Sequence, residues 1–432
     1  MRHSLRMSRT FDASRAYRDR AVRSLPRGVS SSPRASQRPV AIVQEHADGC
    51  HVTDTDGNTY IDYALGYGPL LLGHTPGPVL DAVRRALDLG LRTGGVTAGE
   101  AELAERVAEC VPSAEVTTFL SSGTEAVQLA LRIARSETAR TRVVKFRGHY
   151  HGWADSMHVA NAPGSDDPTT TGQDPLAAEN VILLDWGDLK ALNETLDDTI
   201  AAVITEPAAV NAGCFEPEPG FLEGLRRATT ANGTMLIFDE IITGFRLGLG
   251  GAQGRYGVNP DLTVLGKALG AGLPISAVTG SRAAMRPVAS GRMLHRGTYN
   301  GNPLSVASGN ACLKQLANSA DVLYPRMEAQ VTRLAAGIRE AAERLAAPVH
   351  VNHVGTCLQV FVSPSPVERL TDTIGLDKEA VLELSGLLVE RGVMTLPRGL
   401  MYLSVEHTEA DIDDTIWAFE SALDAFTHGT TN

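Results

Sequence analysis

The 432-residue sequence predicts an α/β fold, in which a large domain with a mainly parallel central sheet is joined by a small α+β domain built from both termini. Three observations predict it. Short apolar runs alternate with helical periodicity through the middle of the chain, an apolar–polar alternation precedes them, and long helical patterns around one strand follow. Strands separated by helices form parallel units with both sheet faces covered, so such strands read as apolar runs.

Taken in order, FDASRAYRDRAVRSLP (11–26) reads as a short helix ending at Pro26. From about 40 to 64 the chain alternates around ADG and DGN, the pattern of a small antiparallel meander. Helical periodicity begins at GHTPGPVLDAVRRALDLG. The apolar runs are then VTTFL (116–120), RVVKF (142–146), AAVIT (201–205), MLIFD (235–239) and LTVL (262–265). Beyond about 315 come a long helix (YPRMEAQVTRLAAGIREAAERLAA), a strand around CLQVFV, a second helix (KEAVLELSGLLVERG) and a closing helix (EADIDDTIWAFESALDAF). These place the small domain in 1–64 and 316–432 and the large domain in 65–315, with an irregular loop, NAPGSDDPTTTGQDP, at 161–175.

A hydrophobic share of 43% and a charged share of 21% fit a soluble globular protein. The net charge of −11 disfavours nucleic acid and anionic membranes as partners and leaves small molecules. No apolar run is long enough for a membrane span. The five cysteines are scattered without CxxC spacing, which supports neither a disulfide framework nor a zinc site and fits a reducing cytoplasm. Ten arginines and two aspartates in the first forty residues overlap in composition with a transit peptide, but the two acids favour an ordinary helix.

In an open parallel sheet, ligands collect where strands end and helices begin. SSGTEA (121–126) follows VTTFL there, offering hydroxyls and backbone N–H groups at a positive helix terminus: either a phosphate site or simple N-capping by Ser122 or Thr124. Asp239 ends MLIFD, as a carboxylate for a cationic partner or as the cap of the next turn. Lysine occurs at only five positions (145, 190, 267, 314 and 378), leaving 34 of the 39 cationic residues as arginine. One of those five, Lys267, follows LTVL and Gly266, where small residues leave room for a ligand. In a dry site its amine is a nucleophile; otherwise it reaches to solvent. A phosphate nest, a carboxylate and a lysine after three different strands suit pyridoxal 5′-phosphate: lysine for the Schiff base, carboxylate for the pyridine nitrogen, nest for the phosphate.

With ADGCHVTDTDGNTYIDY, GHYHGWAD, TEPAAVN, FDEIITGFR, GKALGAGLPI, GTYNGNP and SVEHTEADID in order, the chain resembles the class III, fold-type I aminotransferases, most of all their glutamate-1-semialdehyde 2,1-aminomutase branch. The resemblance implies the fold type I transferase architecture. It also implies phosphate binding by Ser122, Gly123 and Thr124, ring stacking by Tyr150, contacts from Asn211 and Asp239 to the phenolic oxygen and ring nitrogen, Ile241 on the opposite ring face, and Lys267 as the covalent anchor. Thr298 would reach the phosphate of a neighbouring subunit, which implies a homodimer with shared active sites. Glu206 would orient Asn211 or the substrate, and Arg34 of GVSSSPR would bind a substrate carboxylate. His149 and His151 have no metal-ligand spacing, and no metal is assigned.

Three stretches depart from the aminomutase pattern: Gly66-Tyr67-Gly68 replaces Ser-Trp-Gly beside the pocket, the 161–175 loop is acidic and threonine-rich, and LPRGLMYLS is shorter and lacks a glutamate. A reshaped pocket that releases its intermediate favours an intermolecular aminotransferase moving an amino group between a carboxylate-bearing amino acid, such as a β-amino acid or a specialised-metabolism intermediate, and a keto acid or aldehyde. The aminomutase is the alternative, followed by a racemase or epimerase. The presence of Lys267, Asp239 and SSGTE together argues against a retired binding module.

Overall fold

The computed structural model describes residues 9–168 and 170–429; residues 1–8 of the arginine-rich start and Thr169 of the 161–175 loop lie outside them. The chain divides into two compact units, Met1–Pro76 with Pro325–Asn432, and Gly77–Tyr324.

The first unit opens with the helix Asp12–Ala21, shorter than the 11–26 reading because Pro26 begins a separate 3-10 turn, Pro26–Gly28. Strands β1 (Gln44–Asp48), β2 (His51–Asp54) and β3 (Thr59–Asp62) form the antiparallel meander. Asp54 closes its second turn by accepting the backbone N–H groups of Asp56 and Asn58 at 3.0 and 2.8 Å.

The second unit is built on seven strands: β4 (Val116–Leu120), β5 (Arg142–Phe146), β6 (Val181–Leu184), β7 (Ile200–Thr205), β8 (Met235–Glu240), β9 (Leu262–Leu265) and β10 (Ser276–Gly280). Their order is β4-β10-β9-β8-β7-β5-β6, with β10 antiparallel between β4 and β9 and the other pairs parallel. The period-2 alternation of strands explains why both faces are apolar. Val143, Ile204 and Ile237 pack with the helix Gly123–Thr138, while Val144, Val203, Leu236 and Phe238 pack with Phe221, Leu222 and Leu225 of the helix Phe221–Asn232. Five of these strands coincide with the apolar runs read from the sequence. β6 and β10 were not among them, and the small residues after Lys267 lead into β10 rather than into open space.

The helix that returns the chain to the first unit runs Pro303–Arg344, beginning well before Tyr324 and carrying Pro325 inside it. It passes without a break through residue 315, where the sequence pattern suggested a boundary. Residues 65–76 belong with the first unit: Leu71 accepts the N–H of Val405 at 2.9 Å, and Gly68 lies against the Tyr402 ring. Strands β11 (Val349–Val354), β12 (Cys357–Val362) and β14 (Leu400–Tyr402) form an antiparallel sheet, and β13 (Val393–Met394) adds in parallel to β3. The helices Lys378–Glu390 and Glu409–His428 complete its core, the latter started by a capping box between Thr408 and Asp411. Among the described residues no helix is long and apolar enough to cross a membrane.

Candidate functional site

The carboxyl ends of the parallel strands bring most of the expected residues together. After β4, Ser122 caps the helix Gly123–Thr138, its hydroxyl accepting the Glu125 N–H at 3.4 Å. N-capping therefore occurs, and it leaves the first-turn N–H groups, which have no intrahelical acceptor, facing outward as an anion cradle. Thr124 Oγ1 accepts the N–H of Trp153 at 3.4 Å, drawing the GHYHG segment over this helix start.

Ile241, just past β8, sits against the cradle. A Cβ on Gly123 would stand 3.0 Å from Ile241 Cδ1, and one on Gly266 only 2.8 Å. Both glycines are thus required by close approach, and they gather the ends of β4, β8 and β9 around one side chain. Lys267 itself has φ of 43°, a left-handed conformation that costs a non-glycine residue roughly 1–3 kcal/mol and is concentrated at functional sites.

Glu206, at the end of β7, is buried and holds two of the other residues through their backbones: Oε1 accepts the Tyr150 N–H at 2.9 Å and Oε2 the Asn211 N–H at 3.3 Å. Burial, reinforced by nearby Asp239, pushes its carboxyl up to about 7, against the pull of the two N–H groups and of Lys267. Asp239 is pushed up to about 7 by burial, while the Ile241 N–H, 3.1 Å from Oδ1, and Lys267 oppose the rise. The cap reading of Asp239 holds, since it accepts the Ile241 N–H of the following turn, and its other oxygen stands at the sheet edge.

Two histidines that the motif contained, but to which no role was given, complete this layer. His151 Nδ1 lies 2.7 Å from Asp239 Oδ2, and His149 Nδ1 accepts the Glu206 N–H at 3.0 Å. Burial drives both imidazoles well below their usual range, so His151 meets the Asp239 carboxyl as a neutral ring. Lys145, fully buried on β5, donates to the Val159 carbonyl and to Asn161 Oδ1, and burial lowers it to about 8. The strand-end rule applied to RVVKF would have found all three. Tyr150 is 40% exposed, open to a planar partner. Thr298 is exposed in a turn, with no hydrogen bond to the set among the described residues.

A buried carboxyl held by one N–H and a neutral imidazole suits a cationic ring nitrogen, and the helix-start cradle suits a phosphate. Pyridoxal phosphate fits these residues.

Arg34 and Tyr67 belong to the first unit, where they line one cavity of about 900 Å³ together with Arg38, Asp62, His74 and Leu396. Leu65, Gly66, Tyr67 and Gly68 all have positive φ, so the GYG departure is a left-handed turn that presents the Tyr67 ring. Burial raises the Tyr67 hydroxyl while Arg34 and Arg398 pull it down. The sequence reading missed Arg398, which lies inside the shortened LPRGLMYLS segment.

The family model described as "Aminotransferase class-III" matches residues 32–423. The chain is 41% identical over 416 residues to the glutamate-1-semialdehyde 2,1-aminomutase of Desulforudis audaxviator, covering 93% of this chain and 95% of that one. Its structure is similar to an omega-transaminase from Sphaerobacter thermophilus, with TM-score 0.89, 31% identity and coverage of 96% and 98% of the two chains. It is also similar to a β-phenylalanine aminotransferase from Variovorax paradoxus, with TM-score 0.86, 29% identity and coverage of 97% and 95%.

Proposed function

The chain belongs to the class-III aminotransferases and is a pyridoxal-phosphate enzyme, and from that premise we propose that it is an aminomutase acting on glutamate 1-semialdehyde. The observation that carries this reading is the 41% identity, over more than nine-tenths of both chains, to a glutamate-1-semialdehyde 2,1-aminomutase. The three departures that favoured intermolecular transamination are short stretches within that full-length similarity, so the aminomutase becomes the leading reading.

Bound pyridoxal phosphate supplies an electron sink for the charge left when the substrate's Cα–H bond breaks. The chain does the rest. Ser122, Gly123 and Thr124 would hold the phosphate at the helix start, Tyr150 and Ile241 would enclose the ring, and Asn211 would meet its phenolic oxygen. Asp239 would face the ring nitrogen and, as a carboxylate, would keep it charged. Lys267 would anchor the cofactor and would carry the substrate's Cα proton on Nζ. Glu206 positions Tyr150 and Asn211 through their N–H groups, and Arg34 binds the substrate carboxylate bidentately, with Tyr67 beside it. The exposed Thr298, with Leu294 and Tyr299 about two-thirds exposed near it, fits a homodimer in which it reaches the other subunit's phosphate. The five free cysteines fit a reducing, cytoplasmic setting.

A specific observation favours a second reading, intermolecular transamination. Tyr67 lies in the field of two arginines, Arg34 and Arg398, whereas glutamate 1-semialdehyde carries one carboxylate. The experiment is conversion of glutamate 1-semialdehyde to 5-aminolevulinate without any added amino acceptor, with Lys267→Ala as the blank. Acceptor-dependent formation of a keto product from an amino acid, with no 5-aminolevulinate, would replace the first reading by the second.

A further inference from the structure

Away from the cofactor residues, and within the first unit, β2 and the start of the helix Glu409–His428 bring three unlike donors together. Cys50 Sγ lies 3.7 Å from His51 Nδ1 and 3.7 Å from Asp411 Oδ2, while His51 Nε2 lies 3.0 Å from Asp411 Oδ1. One ligand atom from each of the three lies within 4.8 Å of the others. Around a tetrahedral cation with bonds of about 2.3 Å to sulfur and 2.0–2.1 Å to nitrogen and oxygen, donors stand roughly 3.3–3.6 Å apart. The cluster is therefore close to a coordination shell.

The imidazole now turns one nitrogen to the thiol and the other to the carboxylate. Ligation commits one nitrogen to the cation, and the His51 side chain, 31% exposed, has room to turn while Cys50 and Asp411 stay buried. Asp411 is already oriented, because Oδ2 accepts both the N–H and the hydroxyl of Thr408 at 2.9 and 2.7 Å. The Cys50 thiol also donates to the Glu406 backbone carbonyl, at 3.6 Å. Residues 50 and 411 are too far apart in sequence for any spacing motif to reveal the cluster.

We propose that Cys50, His51 and Asp411 bind one divalent cation of the zinc class, with the fourth position taken by water. Binding releases the thiol proton to solvent and clasps the last helix to β2.

The test uses the pyridoxal-phosphate-loaded full chain, stripped with a chelator and dialysed against micromolar Zn²⁺ or Co²⁺. The site should hold one ion per chain, show thiolate-to-cobalt charge-transfer absorption, and raise the melting temperature. Cys50→Ser and His51→Gln should each weaken binding by about tenfold or more and abolish the absorption or shift it, with turnover of the pyridoxal-phosphate enzyme unchanged. His51→Gln alone carries the comparison if Cys50→Ser does not fold. Absence of a stoichiometric ion, an ion bound without the cobalt–thiolate band, or equal binding by wild type and variants overturns the proposal.

Discussion

His151 Nδ1 and Asp239 Oδ2 stand 2.7 Å apart at the buried carboxyl end of β8, and in the cofactor-free chain burial holds the imidazole well below its usual range and the carboxyl well above its own. The sign of the stability effect follows from the raised carboxyl, at about 7. The folded chain keeps a proton that the unfolded chain loses above about pH 4, so the contribution of Asp239 to stability is full below that pH and is lost as the pH rises through about 7.

Asp239→Asn removes that loss. The cofactor-free variant should melt above wild type at pH 8, by roughly 2–4 °C for each kcal/mol recovered, with the gap closing as the pH falls towards about 4. Its turnover should drop by about 10²–10³ or more, since the cofactor ring loses its charged partner. Thermal melts across this range check the first statement; an unchanged or lower melting temperature at pH 8 counts against it.

Much of this arrangement is legible in sequence for a physical reason. MLIFD and LTVL are apolar because their strands are buried throughout, and the ends of VTTFL, MLIFD and LTVL mark the edge where Ser122, Asp239 and Lys267 stand. β10 was not legible: SAVTG is short and rich in small residues, and its place between β4 and β9 depends on pairings set by distant segments. The start of the helix Pro303–Arg344 was hidden by Pro325, which ordinarily interrupts a helix and here lies within one. The backbone clamp of Glu206 was foreseen only in its half toward Asn211. The half toward Tyr150 depends on how the ends of β5 and β7 lie side by side.

The Glu206 clamp can be tested by charge and by reach. Glu206→Ala leaves two buried N–H groups without their acceptor and should cost about 1–3 kcal/mol of stability, together with weaker cofactor binding as Tyr150 and Asn211 shift. Glu206→Gln keeps one acceptor oxygen and should fall between wild type and Ala in both melting temperature and cofactor affinity. If Ala and Gln behave alike, the clamp is not what positions these residues.

The crowding at Ile241 predicts a coupled pair. Gly266→Ala places a methyl 2.8 Å from Ile241 Cδ1 and should reduce cofactor affinity by about tenfold, through an overpacking cost of roughly 1–3 kcal/mol. Ile241→Val deletes that Cδ1 atom and should restore much of the loss in the double variant. Cofactor titration of the four proteins gives the coupling energy directly, and simple additivity would show that the two side chains do not share this space.

Arg34 offers the sharpest test of substrate recognition, because its cavity also holds Tyr67 but none of the residues assigned to the cofactor. Losing a charge-assisted, bidentate grip on a carboxylate costs about 1.5–3 kcal/mol, so Arg34→Gln should raise KM by roughly 10- to 100-fold. The change in kcat should be smaller, and the cofactor's affinity should stay as in wild type. Arg34→Lys keeps the charge but loses the planar fork and should recover only part of the binding. A substrate without the carboxylate should bind wild type and Arg34→Gln equally weakly; if it instead tracks the acid in its sensitivity to the substitution, Arg34 is shaping the cavity rather than gripping the carboxylate.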